Sequence, residues 1–261
     1  MTQDTSIHPS SFRVWRGFRN SRYQTDRSGF VDKLSDIFIP LTCQAMMPLG
    51  LVSYIPTVIA ESQCSLPDEI ALVGYRDQAT YESASHDTVI GRGYGMLHYQ
   101  VFNFSDSDDI PSSQSGFPVH YTGQAIKTGQ AYYFSGQSLD WNALTVTVFV
   151  VPLKGAKNDN DTLQNQLLSS VRKACLDNEA EEAILVVDPG YLVLWVAVKN
   201  GVDCPIDVSN VLVDSQGVVV SVAGSASVPP MWTPNEQGIP VQDNQTLNLS
   251  LSAQTVRSTS L

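Results

Sequence analysis

The order in which two periodicities alternate constrains this chain more than any single motif. Residues 11–18, SFRVWRGF, alternate and are rich in aromatic and β-branched side chains, which predicts a strand. Phe30, Leu34, Ile37, Phe38 and Leu41 then recur at spacings of 4, 7, 8 and 11, one face of a helix. LVSYIPTVI (51–59) and EIALVGY (69–75) read as two further strands. Residues 78–84 and 88–102 return to helical spacing, with Ile90, Tyr94, Leu97 and Val101 at steps of 4, 3 and 4. Strand, helix, strand, strand, helix is most of a ferredoxin-like unit. Its sheet is covered by helices on one face only, so the bare face must be buried, commonly by the same sheet of a second copy. Local punctuation agrees with this order. Pro40 predicts a kink or break in the first helix, Gly50 a helix stop, and Pro56 an edge position or a bulge in the second strand.

The second half spells part of the same order. LTVTVFVVPL (144–153) is a strand, and Asn160 or Asp161 caps a helix from 162 to about 177. Leu163, Leu167, Val171 and Ala174 mark that helix's buried face, and EAILVVDPGYLVLWVAVKN gives two strands around a DPG turn. One reading is a diverged internal repeat whose sheet packs on the first within a single chain. The other is an immunoglobulin-like sandwich over 191–253, where strands and turns alternate without the usual buried Cys and Trp pattern. The expected class is α+β. Residues 1–140 form a ferredoxin-like domain with a loop extension, and residues 141–261 form a β-rich domain with one helix near 162–177.

Charge narrows the function. The net charge of −11 is shared evenly, −5 over residues 1–140 and −6 over 141–261. The phosphate-neutralising surface that nucleic acids require is therefore missing. Arg13, Arg16, Arg19, Arg22 and Arg27 are interleaved with Phe12, Val14, Trp15 and Phe18, as a strand and its following loop would be. No basic segment precedes an apolar run at the N-terminus, and no apolar stretch is long enough to span a bilayer. A cytoplasmic protein without membrane partners is the expectation. Cys43, Cys64, Cys175 and Cys204 lack C-x-x-C spacing, so neither a thiolate metal site nor a disulfide framework is expected. The DSDD at 106–109 departs from calcium-loop spacing and reads as solvated loop.

The stretch GRGYGMLHYQ (91–100) needs separate weighing. Gly91 and Gly93 match the first two positions of a phosphate-cradling G-x-G-x-x-G, but the third falls on Met96 and no strand precedes it. The expectation is instead that these glycines let a helix approach its sheet closely. His98 lies four residues after Tyr94 on the same helix surface. Its ordinary role is packing. Its functional role would be proton transfer near a pKa of about 6.5 at the mouth of a cavity.

With this order, FRVWRGF, the helix ending FIPLTCQAMMPLGL, SYIPTVI and LPDEIALVGYRDQATYES, residues 11–104 resemble the dimeric α+β barrel superfamily of EthD-like and stress-responsive barrel proteins, small monooxygenases and polyketide cyclases. A strand ending in one aromatic followed by a short helix carrying another, Tyr75 to Tyr81, is typical of that group. The resemblance implies a cavity between packed sheets that holds a small, often aromatic molecule. It implies proton transfer by a histidine or tyrosine, or oxygenation without a cofactor. By residue type and element the catalytic candidates are His98 and Tyr75, and the ligand-binding candidates Arg16, Tyr54 and Tyr94. A homodimer is compatible with it. Chlorite dismutase-like haem proteins are built from such a tandem, but all four histidines here precede residue 121, so haem is not expected, and no motif indicates another cofactor. The alternative function is a non-catalytic structural or interaction protein that uses the β-rich C-terminal half.

Overall fold

β1 (Phe12–Gly17), β2 (Leu51–Val58), β3 (Glu69–Tyr75) and the short β4 (Ser113–Gln114) form one antiparallel sheet in the order β2-β3-β1-β4. This is the ferredoxin-like order, and β2, which carries Pro56, lies at an edge where a missing N–H is tolerated. The computed structural model describes residues 6–59, 66–104, 111–153 and 157–206, with short strands beyond them between 219 and 257.

A helical run from Arg27 to Met46 links β1 to β2. It is α-helical at α1 (Arg27–Lys33) and α2 (Ile39–Met46), with a wider π-type turn over Leu34–Phe38 between them. Pro40 sits at the start of α2, just past the widened turn, where its missing N–H is accommodated without a break. The widening also rotates the buried face. Phe30, Leu34, Phe38 and Ile39 are buried, while Ile37 and Leu41, assigned to that face by 3.6-residue spacing, are 41% and 37% exposed. Between β3 and β4 come α3 (Gln78–Glu82), capped by Asp77, and α4 (Val89–Val101), capped by Thr88.

Among the described residues the second sheet has seven strands. β5 (Val119–His120), β6 (Ala131–Tyr133), β7 (Leu144–Pro152), β8 (Glu182–Asp188), β9 (Tyr191–Lys199), β10 (Val219–Ser225) and β13 (Thr255–Arg257) lie in the order β13-β10-β7-β9-β8-β6-β5. Its centre, β8-β9-β7-β10, is antiparallel and repeats the β2-β3-β1-β4 order of the first sheet. The helix α5 (Lys157–Leu176) joins β7 to β8 just as α1 and α2 join β1 to β2. The topology is thus that of an internal repeat. The immunoglobulin-like reading of 191–253 falls largely outside the described residues; where 191–199 is described, that strand belongs to the repeat. The loop at 106–109 also lies outside them, as does the side chain, though not the helical backbone, of Leu163. A two-stranded ribbon, β11 (Thr233–Pro234) with β12 (Pro240–Val241), completes the strands.

The two sheets bury their bare faces against each other. Phe12, Val14, Ile70 and Leu72 of the first meet Val146, Val148, Ile184, Val193 and Trp195 of the second, with Trp141 edge-on to Phe12 at 4.7 Å. The face that would otherwise need a second copy is therefore covered within the chain. The outer face of the second sheet packs under Leu167, Leu168, Val171 and Ala174 of α5. At one end of β8, Glu182 accepts the backbone N–H groups of Phe134, Ser135 and Gly136 at 2.7–2.9 Å, fixing the turn after β6.

This packing corrects one expectation. Among the described residues the space between the sheets is packed with side chains, Trp141 and Trp195 among the largest, and the cavity described below lies elsewhere. Arg16 is corrected with it. It is 4% exposed on the face between the sheets, where its Nη2 donates to Asp188 of β8 at 3.1 Å and its Nε lies 2.8 Å from the other oxygen of that carboxylate. A buried guanidinium needs a counter-charge, and here the protein supplies it. Arg16 is a cross-sheet tie and does not reach a ligand site.

Candidate functional site

The cavity lies on the opposite face of the first sheet, under its own helices, with a volume of about 410 Å³. Strand alternation makes its floor. Trp15 of β1, Tyr54 of β2, and Val73 and Tyr75 of β3 all point to the helix side, while their neighbours Val14, Ile55 and Leu72 point to the second sheet. Phe38, Thr42 and Met46 form one wall, and α4 forms the other through Gly91, Tyr94, Gly95, His98 and Tyr99. Polar groups gather at the rim: Ser85, His86, Arg92, Ser113 and Gln114. An apolar, aromatic interior with polar groups at its edge is the ordinary build of a small-molecule site.

Four of the five candidates named from the sequence therefore converge on this cavity: His98, Tyr75, Tyr54 and Tyr94. Their protonation differs from what residue type alone implies. His98 is packed edge-on against Trp15, Phe38 and Tyr94 at 4.8–5.2 Å, and burial pulls its pKa down to about 4. It is a neutral imidazole at physiological pH, which corrects the expectation of a proton shuttle near 6.5. Burial raises the phenols of Tyr54, Tyr75 and Tyr94 above the usual tyrosine range, and the Tyr94 hydroxyl shares a 2.7 Å hydrogen bond with Thr42. Burial likewise pushes the neighbouring Cys43 thiol up to about 12, so it is no nucleophile.

A carboxyl whose pKa is raised towards neutrality adjoins the cavity and is not among the candidates read from the sequence. Glu69, at the start of β3, is fully buried on the helix side of the sheet. Tyr54 donates its hydroxyl hydrogen to Glu69 Oε1 at 3.2 Å, and the Trp15 indole N–H donates to Oε2 at 2.9 Å. Burial raises the Glu69 pKa to about 7, and the two donated hydrogen bonds hold it from rising further. The available signal was phase. Glu69 alternates with Ala71, Val73 and Tyr75, which places a carboxylate on an otherwise apolar strand face.

No grouping of three or more metal-ligating side chains occurs among the described residues, and none of their helices is long and apolar enough to cross a membrane.

The fold and site together define an α+β protein with tandem ferredoxin-like sheets and an aromatic cavity under the helices of the first. Among solved structures, it is similar to a protein of Fusobacterium nucleatum described as a "putative monooxygenase", with 10% identity and a TM-score of 0.37 over 78% of this chain and 80% of that one. A Lactobacillus acidophilus protein of the same description matches at 8% identity and 0.38, covering 83% of this chain and 93% of the other. An anthrone oxidase-like protein matches at 8% and 0.24 over 76% and 75%. No protein-family model and no curated protein matches the chain. At these scores, nothing about activity passes from those structures to this one.

Proposed function

We propose that the cavity binds a flat, largely apolar aromatic molecule bearing an acidic C–H or O–H, and that the protein removes that proton without a cofactor. The observation that carries this reading is the Tyr54–Glu69 pair: a phenol in the cavity floor, hydrogen-bonded to a buried carboxyl whose pKa is about 7. A general base works best when its pKa lies near the operating pH. Glu69 meets that condition, and His98 does not.

The step balances simply. The guest's C–H bond breaks and its electron pair stays behind as an enolate. The proton passes to the Tyr54 oxygen while the proton of Tyr54 moves to the Glu69 carboxylate. Tyr54 ends neutral and Glu69 ends protonated. Isomerisation, cyclisation and cofactor-free reaction with dioxygen all start from such a carbanion, and the site supports that shared first step.

Deuterium exchange tests it without knowledge of the natural substrate. 2-Tetralone, a bicyclic ketone with acidic benzylic hydrogens, is incubated with the protein in D2O and followed by NMR. The reading requires exchange at that carbon faster than in buffer, and exchange at the buffer rate contradicts it.

A further inference from the structure

Helix α4 carries glycines at 91, 93 and 95. Glycine surrenders more backbone freedom than alanine on entering a helix, so each needs a reason. Gly91 has a local one, because a β-carbon there would collide with the carbonyl oxygen of Ala84. Gly93 and Gly95 do not: a β-carbon at either position would meet no atom within 4 Å. The close approach made at Gly91 is therefore to the preceding helical turn and not to the sheet, and Gly93 and Gly95 make none.

Their directions separate them. At 3.6 residues per turn, residues 91, 92, 95, 98 and 99 share an arc of about 120° with position 95 at its centre, and position 93 points away from it. All five residues of that arc line the cavity, whereas Gly93 is exposed and lies outside the wall. The open space at Gly95 is thus the cavity itself, which reaches the bare helix backbone at that residue.

We propose that Gly95 sets the size of the guest. The missing side chain lets a fused ring system of three or more rings extend from the Tyr54 floor until its far ring lies on the α4 backbone. The volume agrees, since about 410 Å³ falls in the range that takes drug-sized ligands. Gly95 is a specificity-determining position with no part in the proton transfer. The inference rests on the reading of the cavity as an aromatic-guest site.

The test compares binding of 2-naphthol, with two rings, and 9-phenanthrol, with three, by quenching of tryptophan fluorescence. The proteins are wild type, Gly95→Ala, Gly95→Leu and Gly93→Ala. Both alanine variants should melt a few degrees higher than wild type, as glycine replacement at a compatible helical position does. Gly95→Ala and Gly95→Leu should weaken 9-phenanthrol progressively, by about tenfold or more for leucine, and leave 2-naphthol nearly unchanged. Gly93→Ala should change neither probe. If wild type binds both probes and Gly95→Leu holds 9-phenanthrol as tightly, or loses both probes equally, the role of Gly95 is overturned while the guest site stands. If wild type binds neither, the reading of the cavity fails first.

Discussion

Tyr54, in the floor of the cavity, meets the buried Glu69 behind it, phenol to carboxylate at 3.2 Å, from two neighbouring strands of one sheet. The carboxyl has no exposed surface, and its second oxygen is taken by the Trp15 indole. A full negative charge there lacks a cation in direct contact among its hydrogen-bond partners, which is why burial dominates its titration.

That dominance predicts a pH signature. Glu69 takes up its proton at about 7 in the folded protein against 4.5 in its ordinary state, so between those values the native state binds more protons than the unfolded chain. Stability from this group falls as pH rises through the window, by about 3 kcal/mol in all. His98 runs the other way. Its pKa drops from 6.5 to about 4, so the unfolded chain binds more protons there and stability rises with pH over that range. The two slopes oppose each other in the wild type. Denaturation across pH 4–8 should show stability rising with pH up to about 6.5 in Glu69→Gln, and falling between about 4.5 and 7 in His98→Phe. Parallel curves for both variants and wild type would contradict the assignment.

The relay predicts a division between binding and chemistry. Tyr54→Phe and Glu69→Gln keep the shape of the cavity, so 2-naphthol affinity should stay within a few-fold of wild type. Exchange of 2-tetralone should drop in both by on the order of 10²-fold, the usual worth of a positioned base. The double variant should be no slower than either single one, because the two groups act in series. His98→Phe should retain exchange, since a neutral imidazole takes no part in the transfer.

The cross-sheet ion pair predicts a purely structural effect. Asp188→Ala strands the buried Arg16 guanidinium and should destabilise the protein by about 3–5 kcal/mol in urea unfolding. Replacing both partners, Arg16→Met with Asp188→Leu, should recover much of that loss, because it removes the uncompensated charge. 2-Naphthol affinity should not follow either change, since the pair lies on the far side of the sheet from the cavity.

The architecture was legible where side-chain phase and chain punctuation decide the outcome. Alternation predicts β1, β2 and β3, Pro56 points to an edge or a bulge, and the return of strand-helix-strand-strand after residue 144 admits a second sheet of the same order as one of two readings. What stayed hidden depends on contacts between distant segments. Whether Phe12 or Trp15 faces the second sheet cannot be read from β1 alone, because both faces of that strand are apolar and both are buried. Phase alone therefore leaves the side of the cavity, and with it the place of Arg16, undecided. The tyrosines and His98 were found because aromatic residues at strand and helix positions are visible as such. Glu69 was passed over because one acid at the head of an apolar strand looks like a solvated end until the loop and helices around it are placed. The π-type turn before Pro40 was likewise invisible, since helical spacing cannot register an added residue in one turn.

The most direct measurement of the central claim is the position of a bound aromatic guest, read from intermolecular NOEs or a crystal structure with 9-phenanthrol. The guest should contact Trp15, Tyr54, Tyr75 and Gly95, with its hydroxyl directed at Tyr54, on the helix side of the first sheet. A guest seated between the two sheets, or only on the outer surface, would contradict the account.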